Sequence, residues 1–333
     1  MELGGLHHVT AVTGNAPANV AFYTQTLGLR LVKKTVNQDD VSAYHLFYGD
    51  AIGHAGTELT FFDWPQAGGN RAGAGTIEAI GMRAPSADSL IWWRERFDEL
   101  GVRHEPIQTR AGRATLPFSD PEGQRLELVA PAEGEPSVRA GEPWSGSPVP
   151  AEYQLRGLHS VRLLVSRLEP SARVLTEVMG FREVEPFELP DAEPGTSRII
   201  YRYQVAEGGA GAEVQLDVDP TARRGMVGIG GVHHVAFRTP NDEQHLEWRK
   251  RLLAGGLAAT QQIDRFYFRS IYFREPGGVL FEIATDGPGF ASDEDPAHLG
   301  ERLSLPPFLE SYRKEIEAGL IPLATPVPAG EQR

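Results

Sequence analysis

The stretch Gly231-Val232-His233-His234-Val235-Ala236-Phe237-Arg238 has a near copy at the start of the chain, Gly5-Leu6-His7-His8-Val9-Thr10, and another at Gly157-Leu158-His159-Ser160-Val161. Thr76-Ile77-Glu78-Ala79-Ile80 is a weaker relative. Each reads as a strand, and each is followed by an amphipathic segment that ends on a glycine: Gly28, Gly101, Gly180 and Gly255. Counted from His8, Glu78, Ser160 and His234, those glycines lie 20, 23, 20 and 21 residues on. Apolar residues at helical spacing (Val174, Leu175, Val178, Met179) followed by such a glycine predict a helix with a C-terminal cap. Asn15 and Pro17, Ser86, Pro170 and Ser171, and Pro240 and Asn241 supply cap and turn chemistry at the helix starts. Short β-rich stretches come next, and the last is announced by a turn. Asp120-Pro121-Glu122-Gly123-Gln124-Arg125-Leu126-Glu127 and Glu275-Pro276-Gly277-Gly278-Val279-Leu280-Phe281-Glu282 share one pattern, with a Glu four residues after the last glycine. Gly56 to Thr60 and Gly211 to Gln215 fit the same frame.

The unit is therefore β-α-β-β-β, present four times. One such unit leaves a sheet face bare, so two must pair to enclose it. The expected fold class is α+β, with four βαβββ modules paired into two curved-sheet barrels. Modules one and two fall in an N-terminal domain, 1–135, and modules three and four in a C-terminal domain, 151–290. The Pro/Gly-rich stretch Pro131–Pro150 reads as a linker, and 291–333 as an extension with one helix, Leu305–Leu320, packed on the surface.

Composition narrows the function classes. The 333 residues are 41% hydrophobic and 23% charged, typical of a globular protein. There is no cysteine, which excludes disulfide scaffolds and thiol catalysis and leaves His, Asp and Glu to hold any metal. A net charge of −13 repels phosphate backbones, so no nucleic-acid partner is expected. No apolar run approaches the ~20 residues of a membrane span, and because Met1–Gly5 leads straight into Leu6-His7-His8-Val9-Thr10, no signal peptide is expected. A cytoplasmic protein acting on small molecules is expected, with room for a homo-oligomer.

Neighbouring strand residues face opposite ways, so one His of each pair can enter a cavity. Val235 and Phe237 share a face with His233, which predicts His234, and His8 by register, as the inward residues. Glu282 on a closing strand is costly to bury unless paired or bound to metal. Two His and one carboxylate on a rigid sheet make the facial triad of non-haem Fe(II) oxygenases, with positions left for water, substrate and O₂. Mn(II) suits the same donors. Modules two and three offer Glu78, Glu127, Ser160 and Gln215 at the metal register and no His, so no second metal site is expected. Such a site requires modules one and four, at opposite ends of the chain, to pair. His45, His54, His104, His159, His245 and His298 are expected to be surface or structural residues.

These segments, with Asp264-Arg265-Phe266-Tyr267-Phe268-Arg269-Ser270-Ile271-Tyr272-Phe273-Arg274 running into Phe281-Glu282-Ile283-Ala284-Thr285-Asp286-Gly287-Pro288-Gly289-Phe290, resemble the vicinal oxygen chelate superfamily. That superfamily holds glyoxalase I, extradiol dioxygenases and bleomycin- and fosfomycin-resistance proteins. The nearer likeness is to its ring-cleaving hydroquinone dioxygenases, such as 2,6-dichlorohydroquinone 1,2-dioxygenase, and Leu305-Pro306-Pro307-Phe308-Leu309-Glu310 shares it. The resemblance implies the vicinal oxygen chelate fold, Fe(II) on His8, His234 and Glu282, and a small aromatic substrate cleaved with O₂. It also implies catalytic roles for Arg265, Tyr272, His233 and His7, with Thr10, Arg265 and Tyr272 touching substrate. Strand alternation puts His7 and His233 on the other face unless a bulge turns them. The rival readings are a glyoxalase-type isomerase or lyase, which usually needs a fourth ligand, and a quinone- or drug-binding resistance protein. Thr60 stands at the fourth register, with Glu58 two residues earlier on the same face.

Overall fold

Each predicted repeat folds as one strand, one helix and three strands. The computed structural model describes residues 1–136, 138, 140–190 and 196–323. Module one holds β1 (Leu6–Thr13), α1 (Ala16–Ala21), β2 (Arg30–Asn37), β3 (Asp40–Gly49) and β4 (Glu58–Asp63). Module two holds β5 (Thr76–Arg83), α2 (Ala87–Leu100), β6 (Gln108–Arg110), β7 (Arg113–Ser119) and β8 (Arg125–Val129). Module three holds β9 (Leu158–Val165), α3 (Leu168–Arg173), β10 (Arg182–Pro190), β11 (Ser197–Gln204) and β12 (Glu213–Val218). Module four holds β13 (Gly231–Thr239), α4 (Asp242–Ala254), β14 (Ile263–Asp264), β15 (Arg269–Arg274) and β16 (Leu280–Thr285). Asn15, Ser86 and Asn241 each cap a helix by accepting from a backbone N–H three residues on. Gly28, Gly101 and Gly180 end theirs in the left-handed region; after α4 that role passes from Gly255 to Gly256.

Two eight-stranded sheets result, in the orders β14-β15-β16-β13-β1-β4-β3-β2 and β10-β11-β12-β9-β5-β8-β7-β6. The first joins modules four and one through the antiparallel pair β1–β13, and the second joins three and two through β5–β9. Every residue of β1 and of β9 is buried, because helices cover one sheet face and the barrel interior lies on the other. Trp93 and Phe97 of α2 and Trp248 and Leu252 of α4 anchor those covers in the core. A separate apolar cluster, including Val32, Phe47, Tyr267, Phe268 and Phe290, lines the first barrel.

The central strand pairs are interrupted at four places, and these decide which side chains face inward. Leu6 pairs with Phe237 and His8 with Ala236, so His7 is an extra residue; Thr10 pairs with His234 and Ala11 with Val232, so His233 is another. In the second sheet His159 and Glu78 are skipped in the same way. Glu78 therefore matches His233, and Ala79 occupies the metal register to which the sequence assigned Glu78.

The terminal segment departs from expectation. Its helix, α5, spans only Arg313–Gly319, and residues 324–333 of the expected extension lie outside the described residues. Before it, an irregular strap lies against β2: Arg30 donates to the carbonyls of Pro296 and Ala297, and buried Lys33 binds Asp293 at 2.7 Å and also Glu294. In the expected linker, Ser137 and Arg139 lie outside the described residues, while Gly141 and Glu142 are hydrogen-bonded to Arg156 and Asp50. No helix among the described residues is long and apolar enough to cross a membrane.

Candidate metal centre

β1, β13 and β16 are adjacent in the first sheet and bring His8, His234 and Glu282 together. His8 Nε2 lies 3.2 Å from His234 Nε2 and 3.3 Å from Glu282 Oε2, and His234 Nε2 lies 3.0 Å from the same oxygen. Three donors bound at right angles with bonds of about 2.1 Å would stand about 3.0 Å apart. All three side chains are buried, and Glu282 Oε2 has no hydrogen-bond partner. Its other oxygen, Oε1, accepts from Ser270 Oγ at 2.5 Å. A buried carboxylate with one oxygen satisfied and the other aimed at two imidazole nitrogens fits a shared cation. Burial works against the Glu282 charge, but His8 and His234 outweigh it and hold its pKa well below the usual carboxylate range. Burial also lowers the pKa of His8, favouring the neutral ring that a metal needs.

The bulges turn His7 and His233 onto the same side as His8 and His234, not under the helices as alternation alone predicts. His7 Nδ1 lies 2.9 Å from His8 Nδ1, and His233 Nδ1 lies 2.8 Å from His234 Nδ1. His7 Nε2 reaches the Thr285 carbonyl at 3.1 Å. The imidazoles of His8 and His234 are thereby each braced through the nitrogen that faces away from Glu282. Burial alone would lower the His7 pKa, but Glu58, 3.5 Å away, raises it; burial takes His233 down to about 3. Glu58 groups with His7 and His8 and not with His234 and Glu282. The position that matches Glu282 in module one is Thr60, since Thr60 pairs with Thr10 as Glu282 pairs with Ala236.

A cavity opens beside the triad, lined by His8, His234, Phe47, Phe62, Phe268 and Tyr272 among others. The Tyr272 ring lies 5.7 Å from His234, and Phe268 lies 5.1 Å from His8. Burial and the Glu282 charge push the Tyr272 pKa upward, so its phenol keeps its proton. Arg265 sits 5.4 Å above the Tyr272 ring and forms a two-pronged ion pair with Asp39, at 2.8 and 3.1 Å, across the cavity mouth. Thr10 is fully buried and does not line the cavity; its hydroxyl lies 2.8 Å from Thr60 Oγ1, which is 3.0 Å from His45 Nε2. His45, expected to be structural, is on the cavity wall. Its strand carries no repeated motif, and only the pairing of His45 with Phe62 shows which way it faces. His159 and His245 are buried and hydrogen-bonded, as expected of structural residues.

The second barrel repeats this frame with different chemistry. Glu127 pairs with Gly81 as Glu282 pairs with Ala236, while Ser160 and Ala79 stand at the positions of His8 and His234. The guanidinium of buried Arg162 rests on Glu127, 3.6 Å from Glu78 and 3.3 Å from Gln215. A fixed side-chain cation thus neutralises the carboxylate there.

The model of the glyoxalase/bleomycin resistance protein/dioxygenase superfamily matches this chain twice, over residues 5–128 and 157–283. The Bacillus subtilis protein named "Putative ring-cleaving dioxygenase MhqA" is 45% identical over 97% of this chain and all of its own length. The chlorohydroquinone/hydroquinone 1,2-dioxygenase of Sphingobium indicum is 35% identical over 94% of each chain. Among solved structures, a Bacillus subtilis protein described as a "putative dioxygenase" superposes with a TM-score of 0.86 at 36% identity, covering 98% of this chain and 99% of its own. Glyoxalase I from Zea mays shares the fold, with a TM-score of 0.62 at 16% identity, covering 90% of this chain and 96% of that one. With two matched regions that together span most of its length, the chain belongs to the glyoxalase/bleomycin resistance protein/dioxygenase superfamily.

Proposed function

We propose that this protein is an Fe(II)-dependent dioxygenase that opens a hydroquinone- or catechol-type ring with O₂, its ion held by His8, His234 and Glu282. The observation that carries this reading is the unpartnered, fully buried Glu282 Oε2 facing two imidazole Nε2 atoms within 3.3 Å. Near-full-length relatives named as ring-cleaving dioxygenases support it. Three protein ligands leave positions for a substrate oxygen and O₂, and Thr60 at the fourth register argues against a closed four-ligand site. Bound there, Fe(II) would acidify a coordinated phenol and provide the redox path from ring to O₂.

The remaining work falls to side chains. With an ion on both Nε2 atoms, His8 and His234 would each donate an Nδ1–H hydrogen bond to the Nδ1 of His7 and His233, which keeps both Nε2 lone pairs directed at the ion. Phe47, Phe62 and Phe268 enclose an aromatic ring and exclude water. Tyr272 offers a phenolic O–H to a ring oxygen, and Arg265, released from Asp39, stabilises negative charge as it develops there. The test is anaerobic reconstitution with Fe(II), then addition of O₂ with hydroquinone, chlorohydroquinones or catechols. Oxygen uptake with a new ring-opened chromophore is expected. Hemithioacetal lyase activity with Zn(II) or Ni(II) and no oxygen consumption would overturn the proposal.

A further inference from the structure

The geometry points to His45 as a substrate-binding residue that grips the second oxygen of a dihydroxy ring, on the side away from the triad. This inference rests on the ring-cleavage reading and adds to it a residue and an orientation.

His45 is half-buried in the cavity wall. Its ring lies 3.9 Å from Phe47 and 4.4 Å from Phe62, so aromatic surfaces fix its plane. Its Nε2 is 3.0 Å from Thr60 Oγ1, which is 2.8 Å from Thr10 Oγ1. Both hydroxyls belong to fully buried residues, so the pair anchors one edge of the imidazole below the cavity floor. Nδ1 makes no hydrogen bond among the described residues, and the ring that carries it lines the cavity. A nitrogen in an aromatic-lined wall, with the ring's other nitrogen already anchored, is the arrangement that orients a polar ligand group.

Placement in the sheet decides which oxygen it meets. β4 separates β3 from β1, so His45 stands two strand spacings, about 10 Å, from the strand of His8. A ring oxygen adjacent to one held at the triad would stay beside His8 and His234. An oxygen across the ring would point toward β3. Burial, with the nearby His8 and His234, also keeps the His45 pKa well below the usual imidazole range. The ring therefore stays neutral, with one nitrogen able to donate and the other to accept. The two threonine hydroxyls can turn to suit either tautomer, so Nδ1 can take or give a hydrogen bond to a phenol.

Two isosteric changes separate this role from a structural one. In His45→Asn the amide occupies the place of Nδ1 and drops the contact with Thr60, whereas in His45→Gln it reaches the place of Nε2 and leaves the cavity position empty. The measurement is anaerobic calorimetric binding of hydroquinone and of phenol to the Fe(II)-loaded protein. One lost hydrogen bond corresponds to about two- to tenfold in affinity. The wild type should prefer hydroquinone over phenol by about that factor, and His45→Asn should keep the preference. His45→Gln should lose it while retaining affinity for phenol. Preference kept in His45→Gln and lost in His45→Asn would assign His45 to bracing Thr60 and overturn the inference. So would a wild type that takes up oxygen on hydroquinone yet binds phenol equally well, which leaves the ring-cleavage reading intact. A wild type that binds neither compound would sink both.

Discussion

At Glu282 the two oxygens of one carboxylate have different surroundings: Oε1 is held by Ser270, and Oε2 is kept for the two imidazoles. Removing the brace should loosen the site without abolishing it. Ser270→Ala is expected to weaken metal affinity by about 10- to 100-fold, read by competition with a chelator, with little change in Tm of the apo protein. Unchanged affinity would show that Ser270 does not orient Glu282. His159 makes a contrasting case, since it matches His7 in the barrel where Ser160 and Ala79 stand at the positions of His8 and His234. Burial takes its pKa from 6.5 to about 4, so acid protonates it first in the unfolded chain. Its contribution to stability is complete above about pH 6.5 and is lost as pH falls toward 4. The Tm deficit of His159→Gln should therefore shrink over that window, by up to roughly 3 kcal/mol in stability, with metal content unchanged. A deficit constant with pH would contradict this. The three residues of the candidate triad were legible because a repeated strand motif and a repeated turn mark them. His7 and His233 were misplaced because alternation assumes an unbroken ladder, and a one-residue bulge leaves no mark in composition.

Most elements with a local signature were read from it, but α3 starts at Leu168, so Pro170 and Ser171 lie inside the helix and no side chain caps it, and the left-handed stop after α4 is Gly256 in place of Gly255. The helices of the four modules and their glycine stops follow from periodicity and from backbone conformations that glycine adopts easily. The strap around Asp293 and Glu294 has no such signature, because it is held by partners some 260 residues distant. Lys33 is the residue on which it converges: its ammonium is fully buried, with two carboxylates and the Tyr267 ring around it. Lys33→Met should leave buried Glu294 with only the more distant Arg302, 3.8 Å from its other oxygen, and cost about 3 kcal/mol. A clear fall in Tm, with faster proteolysis between Phe290 and Leu305, is the expected result; wild-type stability would mean the strap is held by other contacts.

At the scale of the whole molecule, the first and last modules share a sheet, and the triad spans the seam between them. The need for that pairing was readable, since the two His-His strands and the Glu282 strand lie at opposite ends of the sequence. What fills the second barrel was not. Arg162 grows from the position that matches Thr10, and no spacing rule indicates that its guanidinium turns onto Glu127. That substitution leaves the molecule with a candidate ion site in one barrel and a carboxylate neutralised by Arg162 in the other. The most direct test is the iron content of anaerobically reconstituted, desalted protein, measured for the wild type and for His8→Ala, His234→Ala and Glu282→Ala. One iron per chain in the wild type and almost none in any of the three variants is expected. Two irons per chain, or full occupancy in any one variant, would contradict the account.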